Sequence, residues 1–205
     1  MIKPRKLSKG IRVLPLNRKQ IFLKKTVLFI HSAGPQGRHQ GSNDFIALLK
    51  KSLGPGYELK HPKMPHPERP DYEPWKAKVA KEIAKLDDGA ILIGHSLGGS
   101  VLLKYLSEAD HGKTFSGLFL VAAPYWGLKG WEYDAFFLKR GFPRKLTGVG
   151  PVFLYHTLDD EIVSQDHIVR YAKSMPKAKV RKVKGYGHAF NKEECPELIR
   201  DIGSL

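Results

Sequence analysis

Ala90-Ile91-Leu92-Ile93 runs directly into Gly94-His95-Ser96-Leu97-Gly98-Gly99, and a helical pattern follows from Ser100 to Ser107. A short, continuous apolar run of this kind suits a strand buried on both faces of a parallel sheet. The motif after it, G-x-S-x-G, marks a nucleophile held on a sharp strand-to-helix turn. Flanking glycines admit close backbone approach where a side chain would clash. The turn lifts the serine Oγ above the sheet edge, and the N-terminus of the next helix favours developing negative charge. In a chain with 20 glycines the motif alone is weak. The buried strand before it and the apolar-faced helix after it set it apart from an ordinary glycine-rich turn.

The same alternation repeats on either side of this motif. Thr26 to His31 is an apolar run that ends in Ser32-Ala33-Gly34-Pro35, and Ser42 to Leu53 carries Phe45, Leu48, Leu49 and Leu53 on one helical face. A short strand is expected over Tyr57–Lys60. The stretch 61–74 holds prolines at 62, 65, 67, 70 and 74, which reads as a loop before a helix over Trp75–Leu86. Further strands are expected over Ser116–Ala123, Pro151–Tyr155 and Lys179–Val183, with helices over Asp166–Ser174 and Cys195–Ile202. Strand–helix alternation implies an α/β fold, a mostly parallel sheet wrapped by helices, with its site at the carboxyl ends of the strands. Pro124 to Gly148 breaks the alternation and is rich in aromatics, so 124–148 reads as a small cap. Tyr125, Trp126 and Trp131 in it are candidate walls of a substrate pocket; their ordinary alternative is packing within the cap.

A serine nucleophile needs a base and an orienting acid. Gly185-Tyr186-Gly187-His188 follows the last expected strand, and a glycine-flanked His188 can swing over the sheet edge to take a proton from Ser96. After strand 151–155 the chain reads His156-Thr157-Leu158-Asp159-Asp160-Glu161-Ile162-Val163. Asp159 and Asp160 compete for the orienting role. Asp160 is favoured because Val163, three residues on, offers an apolar anchor. The order is Ser, Asp, His along the chain, as in α/β-hydrolases. Acyl transfer also needs N–H donors for an oxyanion, one of them expected at Leu97.

Five stretches now stand together: F-I-H-S-A-G-P (29–35), G-H-S-L-G-G (94–99), A-A-P-Y-W-G (122–127), L-D-D-E-I-V (158–163) and G-H-A-F (187–190). Over about residues 26–205 the chain resembles the small α/β-hydrolases of the retinoblastoma-binding-protein-nine type. The resemblance implies a reduced α/β-hydrolase fold, a Ser96–Asp160–His188 triad and a second oxyanion donor in the first loop, at Ala33. It departs at Ser32, where His-Gly is common, and at Ser164, where proline is frequent.

Composition bounds the rest. The chain has 205 residues and a formal charge of +15, with 35 Lys+Arg against 20 Asp+Glu. Residues 1–25 form a basic leader with nine Lys or Arg and no acid. It reads as a solvated leader, a segment binding an anionic surface or partner, or a targeting segment. Residues 26–205 form one domain. No apolar stretch is long enough to span a membrane, and no apolar signal core precedes the first strand. One cysteine, Cys195, makes no internal disulfide, which fits a cytoplasmic setting. No metal-ligand spacing and no nucleotide-binding glycine motif occurs, so neither metal nor cofactor is expected. The expected activity is hydrolysis of a small-molecule ester or related acyl bond. The competing reading is a catalytically weak binding protein on the same scaffold with an acidic partner. Nucleic-acid binding has charge in its favour but no recognition motif.

Overall fold

The computed structural model describes residues 24–192 and 194–205. The leader expected over 1–25 therefore lies almost entirely outside the described residues. The rest alternates as β1 (Lys25–Ile30), α1 (Asn43–Ser52), β2 (Tyr57–Lys60), α2 (Tyr72–Ile83), β3 (Ala90–His95), α3 (Leu97–Glu108), β4 (Phe115–Val121), β5 (Val152–Thr157), α4 (Gln165–Ser174), β6 (Lys179–Val183) and α5 (Pro196–Gly203).

The strands form one parallel sheet in the order β2-β1-β3-β4-β5-β6. Successive side chains on a strand point to opposite faces, so each buried strand feeds two cores. Val27, Phe29, Ile91, Ile93, Phe119 and Phe153 meet Phe45 and Leu49 of α1 and Leu198 and Ile202 of α5. Leu28, Ile30, Leu92, Leu118 and Leu154 meet Trp75 and Val79 of α2, Val101 and Leu102 of α3, and Ile168 of α4. Burial on both faces is why these strands read as unbroken apolar runs. No helix among the described residues is long and apolar enough to cross a membrane.

The strand order reverses between β1 and β3. The chain leaves β1 toward β2 on one side and returns to β3 on the other. Such a switch point opens a crevice at the carboxyl ends of the two strands, where sites form in open α/β sheets. Ala33 follows β1 and Ser96 follows β3, so both stand at that crevice.

Two helices begin earlier than the sequence pattern indicates. α2 starts at Tyr72, three residues before Trp75. The Asp71 carboxylate accepts the Tyr72 N–H at 2.7 Å, and Pro74 falls in the first turn. There its missing N–H costs nothing, so the proline does not delay the helix. α3 starts at Leu97, inside the glycine motif itself. A Cβ on Gly94 would stand 2.4 Å from the Gly99 Cα, and one on Gly98 would stand 2.2 Å from the Ile30 carbonyl oxygen. The glycines here provide clearance for strand, turn and helix, rather than ending a helix.

Between β4 and β5 the chain makes two short 3-10 turns, Asp134–Phe136 and Phe142–Lys145. Phe136 and Phe142 join the core around α3. Lys104 of α3, itself buried, donates to the Phe137 carbonyl at 2.9 Å and pairs with Glu108 at 2.6 Å. Much of the segment expected as a cap is thus fastened to α3, and its first residues, Pro124, Trp126 and Trp131, border the cavity described below.

The clearance at Gly98 is directly testable. Gly98→Ala must push backbone against backbone, so urea unfolding should show a loss of about 1–3 kcal/mol. An unchanged midpoint would mean that the first turn of α3 has room to move.

Candidate active site

Ser96 sits between β3 and α3 with φ 52° and ψ −125°. This is a conformation that L-residues rarely adopt, kept here by the packing around it. Its N–H donates to the Val121 carbonyl at 2.8 Å, which holds the turn against β4. The side chain is buried at the floor of a cavity of about 570 Å³.

His188 lies above it. The Asp160 carboxylate accepts from His188 Nδ1, with both oxygens at 3.0 Å. Since a carboxylate only accepts, the proton is on Nδ1, and Nε2 is left to accept from Ser96 Oγ at 3.0 Å. Asp160 is almost wholly buried. Burial alone would push its pKa up. The His188 hydrogen bond, the imidazole itself and the N–H groups of Val163 and Ile162 outweigh that, and the net shift is downward. Val163, the apolar anchor noted in the sequence, is fully buried.

Asp159, the competing carboxylate, has a different task. It accepts from Thr157 Oγ1, from the Gly185 N–H at 2.7 Å and from the Gly187 N–H at 3.3 Å. The Thr157 hydroxyl and these N–H groups hold its pKa down at about 2. Glu161 accepts the His188 N–H at 3.0 Å. Three consecutive acids at the end of β5 thus grip the loop that carries His188.

The first loop is organised by two buried histidines. His31 donates from Nδ1 to the Ser32 carbonyl at 2.7 Å and accepts the Met64 N–H on Nε2 at 2.9 Å. Gln36 adds a second donor to that carbonyl at 3.2 Å. In a trans peptide the C=O and N–H point opposite ways, so pinning the Ser32 carbonyl aims the Ala33 N–H the other way. Among the described residues the N–H groups of Ala33 and Leu97 meet no acceptor, and both residues line the cavity beside Ser96.

His95, next to Ser96, donates from Nε2 to the His188 carbonyl at 2.9 Å and accepts from Ser42 Oγ at 2.7 Å. The same Ser42 oxygen accepts the Ser32 N–H at 2.8 Å. One neutral ring thus links the first loop, the start of α1 and the His188 loop. Burial pushes the His95 pKa down to about 3. Ser42 reads in sequence only as the start of a helix. Its hydroxyl does not cap that helix but turns inward.

The three aromatic pocket candidates divide. Trp126 and Trp131 line the cavity, edge to face with ring centres 5.2 Å apart. Tyr125 points away and packs on Tyr171 at 4.9 Å, while its N–H donates to His167 Nδ1 at 2.8 Å. Cys195 is buried, and burial raises its thiol pKa.

A family model described as "Serine hydrolase" matches residues 39–195. The chain belongs to that serine hydrolase family. Its structural neighbours are α/β-hydrolases. The ydeN gene product of B. subtilis superposes with a TM-score of 0.74 at 22% identity, covering 88% of this chain and 98% of that one. A meta-cleavage product hydrolase from Pseudomonas fluorescens IP01 gives 0.65 at 14% identity, covering 88% and 89%. The esterase domain of a Rhodothermus marinus protein gives 0.64 at 15%, covering 90% and 88%. At these identities the likeness is one of fold. No curated protein matches by sequence.

The buried network has measurable consequences. Ser42→Ala leaves the Ser32 N–H and His95 Nδ1 without their partner and should cost about 1–3 kcal/mol in urea unfolding. A second expectation concerns acid. Burial is the main reason that His31, His95, His156 and His167 all titrate below 6.5 in the folded protein. Unfolded, each binds a proton near pH 6.5, so unfolding takes up protons. Stability should be fully present above about pH 7.5 and fall progressively as pH drops through 6.5 toward the lowered values of the folded protein. The slope should be shallower in His95→Gln. A stability curve flat over that range would contradict the buried neutral state of these rings.

Proposed function

We propose that this serine hydrolase cleaves carboxylic esters or related acyl bonds through an acyl-enzyme on Ser96. The observation that carries the proposal is the hydrogen-bonded line from Ser96 Oγ through His188 to Asp160, at the floor of a cavity. In this reading His188 Nε2 takes the Ser96 proton as Oγ attacks the acyl carbon, then returns it to the leaving group. Asp160 keeps the proton on Nδ1 and stabilises the imidazolium that forms. The Leu97 and Ala33 N–H groups receive the negative charge that develops on the acyl oxygen, at the start of α3, where the helix dipole favours it. Water, activated by the same histidine, then releases the acid.

Ester chemistry in particular draws support from the cavity and from one neighbour. The walls include the apolar residues Ala33, Leu97, Pro124 and Ile162, which suits an acyl chain. One structural neighbour is itself an esterase domain.

A fluorophosphonate probe tests the mechanism. The folded protein should label, and Ser96→Ala should abolish labelling. Asp160→Asn keeps the shape but favours the wrong tautomer, so kcat on a simple ester should fall on the order of a thousandfold or more. His188→Ala should lose a similar factor. Labelling that survives in Ser96→Ala, or undiminished turnover in Asp160→Asn, would overturn the assignment.

A further inference from the structure

The chain carries 35 Lys and Arg, yet no Lys or Arg is among the residues lining the cavity. The acidic side chain that lines it is Glu161. Its Oε2 holds the His188 N–H at 3.0 Å, and it forms no ion pair with a Lys or Arg among the described residues. The carboxylate therefore stands beside the imidazole that protonates the leaving group. The same cavity is lined by two indoles, Trp126 and Trp131. The faces of such rings attract cations and repel anions. Carboxylate and indoles thus select in the same direction, against the sign of the whole chain.

We propose that the leaving group of the natural substrate carries a positive charge, an ammonium centre, and that Glu161 is the residue that selects it. The inference rests on the acyl-transfer reading above and names the substrate class for that site. Long-range repulsion from the basic surface does not cancel it. Charges beyond about 8 Å are largely screened at physiological salt, whereas a group inside the cavity meets Glu161 directly.

The test compares esters of one acyl group on the full chain: butyrylcholine, its uncharged isostere 3,3-dimethylbutyl butyrate, and a butyryl ester whose alcohol carries a carboxylate. The kcat/KM should fall in the order cationic, neutral, anionic, with the cationic ester ahead of its neutral isostere by about tenfold. In Glu161→Gln, which keeps an acceptor for the His188 N–H but not the charge, the cationic-to-neutral ratio should fall toward one. The ratio is read within each variant, so a general loss of activity does not affect it. Calorimetric binding of choline, weaker in Glu161→Gln, supplies a readout that needs no catalysis.

Turnover of the esters without preference for the cation, or a ratio unchanged in Glu161→Gln, would overturn the cation inference and leave acyl transfer standing. Choline binding sensitive to Glu161 without turnover or fluorophosphonate labelling would do the reverse. Neither binding nor turnover would overturn both.

Discussion

The contact on which the rest of the site depends is the close approach of backbone to backbone around Ser96. The first turn of α3 lies against the end of β1, at the Ile30 carbonyl, and the Gly94 backbone lies against Gly99. These contacts bring the end of β1, the turn after β3 and the start of a helix into one place. The loop after β1 and the serine then face each other without any long connection. A side chain at Gly94 or Gly98 would separate them, and the Ala33 and Leu97 N–H groups would no longer stand on the same side of Ser96.

The second constraint concerns the loop bearing His188. Gly185 and Gly187 both have positive φ, at 87° and 55°, so the loop has little stiffness of its own. Its position comes from outside. Asp159 holds two of its N–H groups, Asp160 holds the ring, Glu161 holds the His188 N–H, and His95 donates to the His188 carbonyl from below. A flexible loop is thus located by groups on rigid elements, the end of β5 and the end of β3. His95 adds a further link, because Ser42 ties its other nitrogen to the first loop. Displacement of any one of these loops is felt by the others through a buried ring whose nitrogens both have partners.

Much of this was legible in the sequence, for identifiable reasons. β1, β3 and β4 are buried on both faces, so their apolar runs stand out, and the sheet with its crevice follows from the alternation. The residues brought to that crevice, Ser96, His188 and Asp160, lie in loops directly after strands, where chain order indicates position. What the sequence hid depends on side-chain direction. Ser42 reads in sequence as the first residue of a helical stretch, yet its hydroxyl turns inward, which no periodicity reveals. Tyr125 and Trp126 are neighbours, but one packs on Tyr171 and the other lines the cavity. Asp159, Asp160 and Glu161 differ in sequence only by register, and the turn after β5 gives each a separate partner. Pro74 misled because a proline in a first turn resembles one in a loop.

Electrostatics in this molecule works on two length scales. The chain is strongly basic, and that excess acts over distances on which water and salt weaken it. Inside the crevice the balance is reversed. The buried histidines are neutral because burial penalises their charge, and the groups with charge to offer are carboxylates at the end of β5. An imidazolium forming on His188 during acyl transfer would therefore meet Asp160 at hydrogen-bond distance, with the Glu161 side chain at the His188 backbone N–H and the uncharged rings of His95 and His156 as its other titratable neighbours. Neutral His95 matters for this reason. A proton there would place a like charge 5.4 Å from the ring that becomes charged in the proposed reaction. In the proposed reaction, desolvation of His95 thus protects the charge that would form at His188, and the same burial that makes the fold sensitive to acid keeps these neighbouring rings neutral at neutral pH.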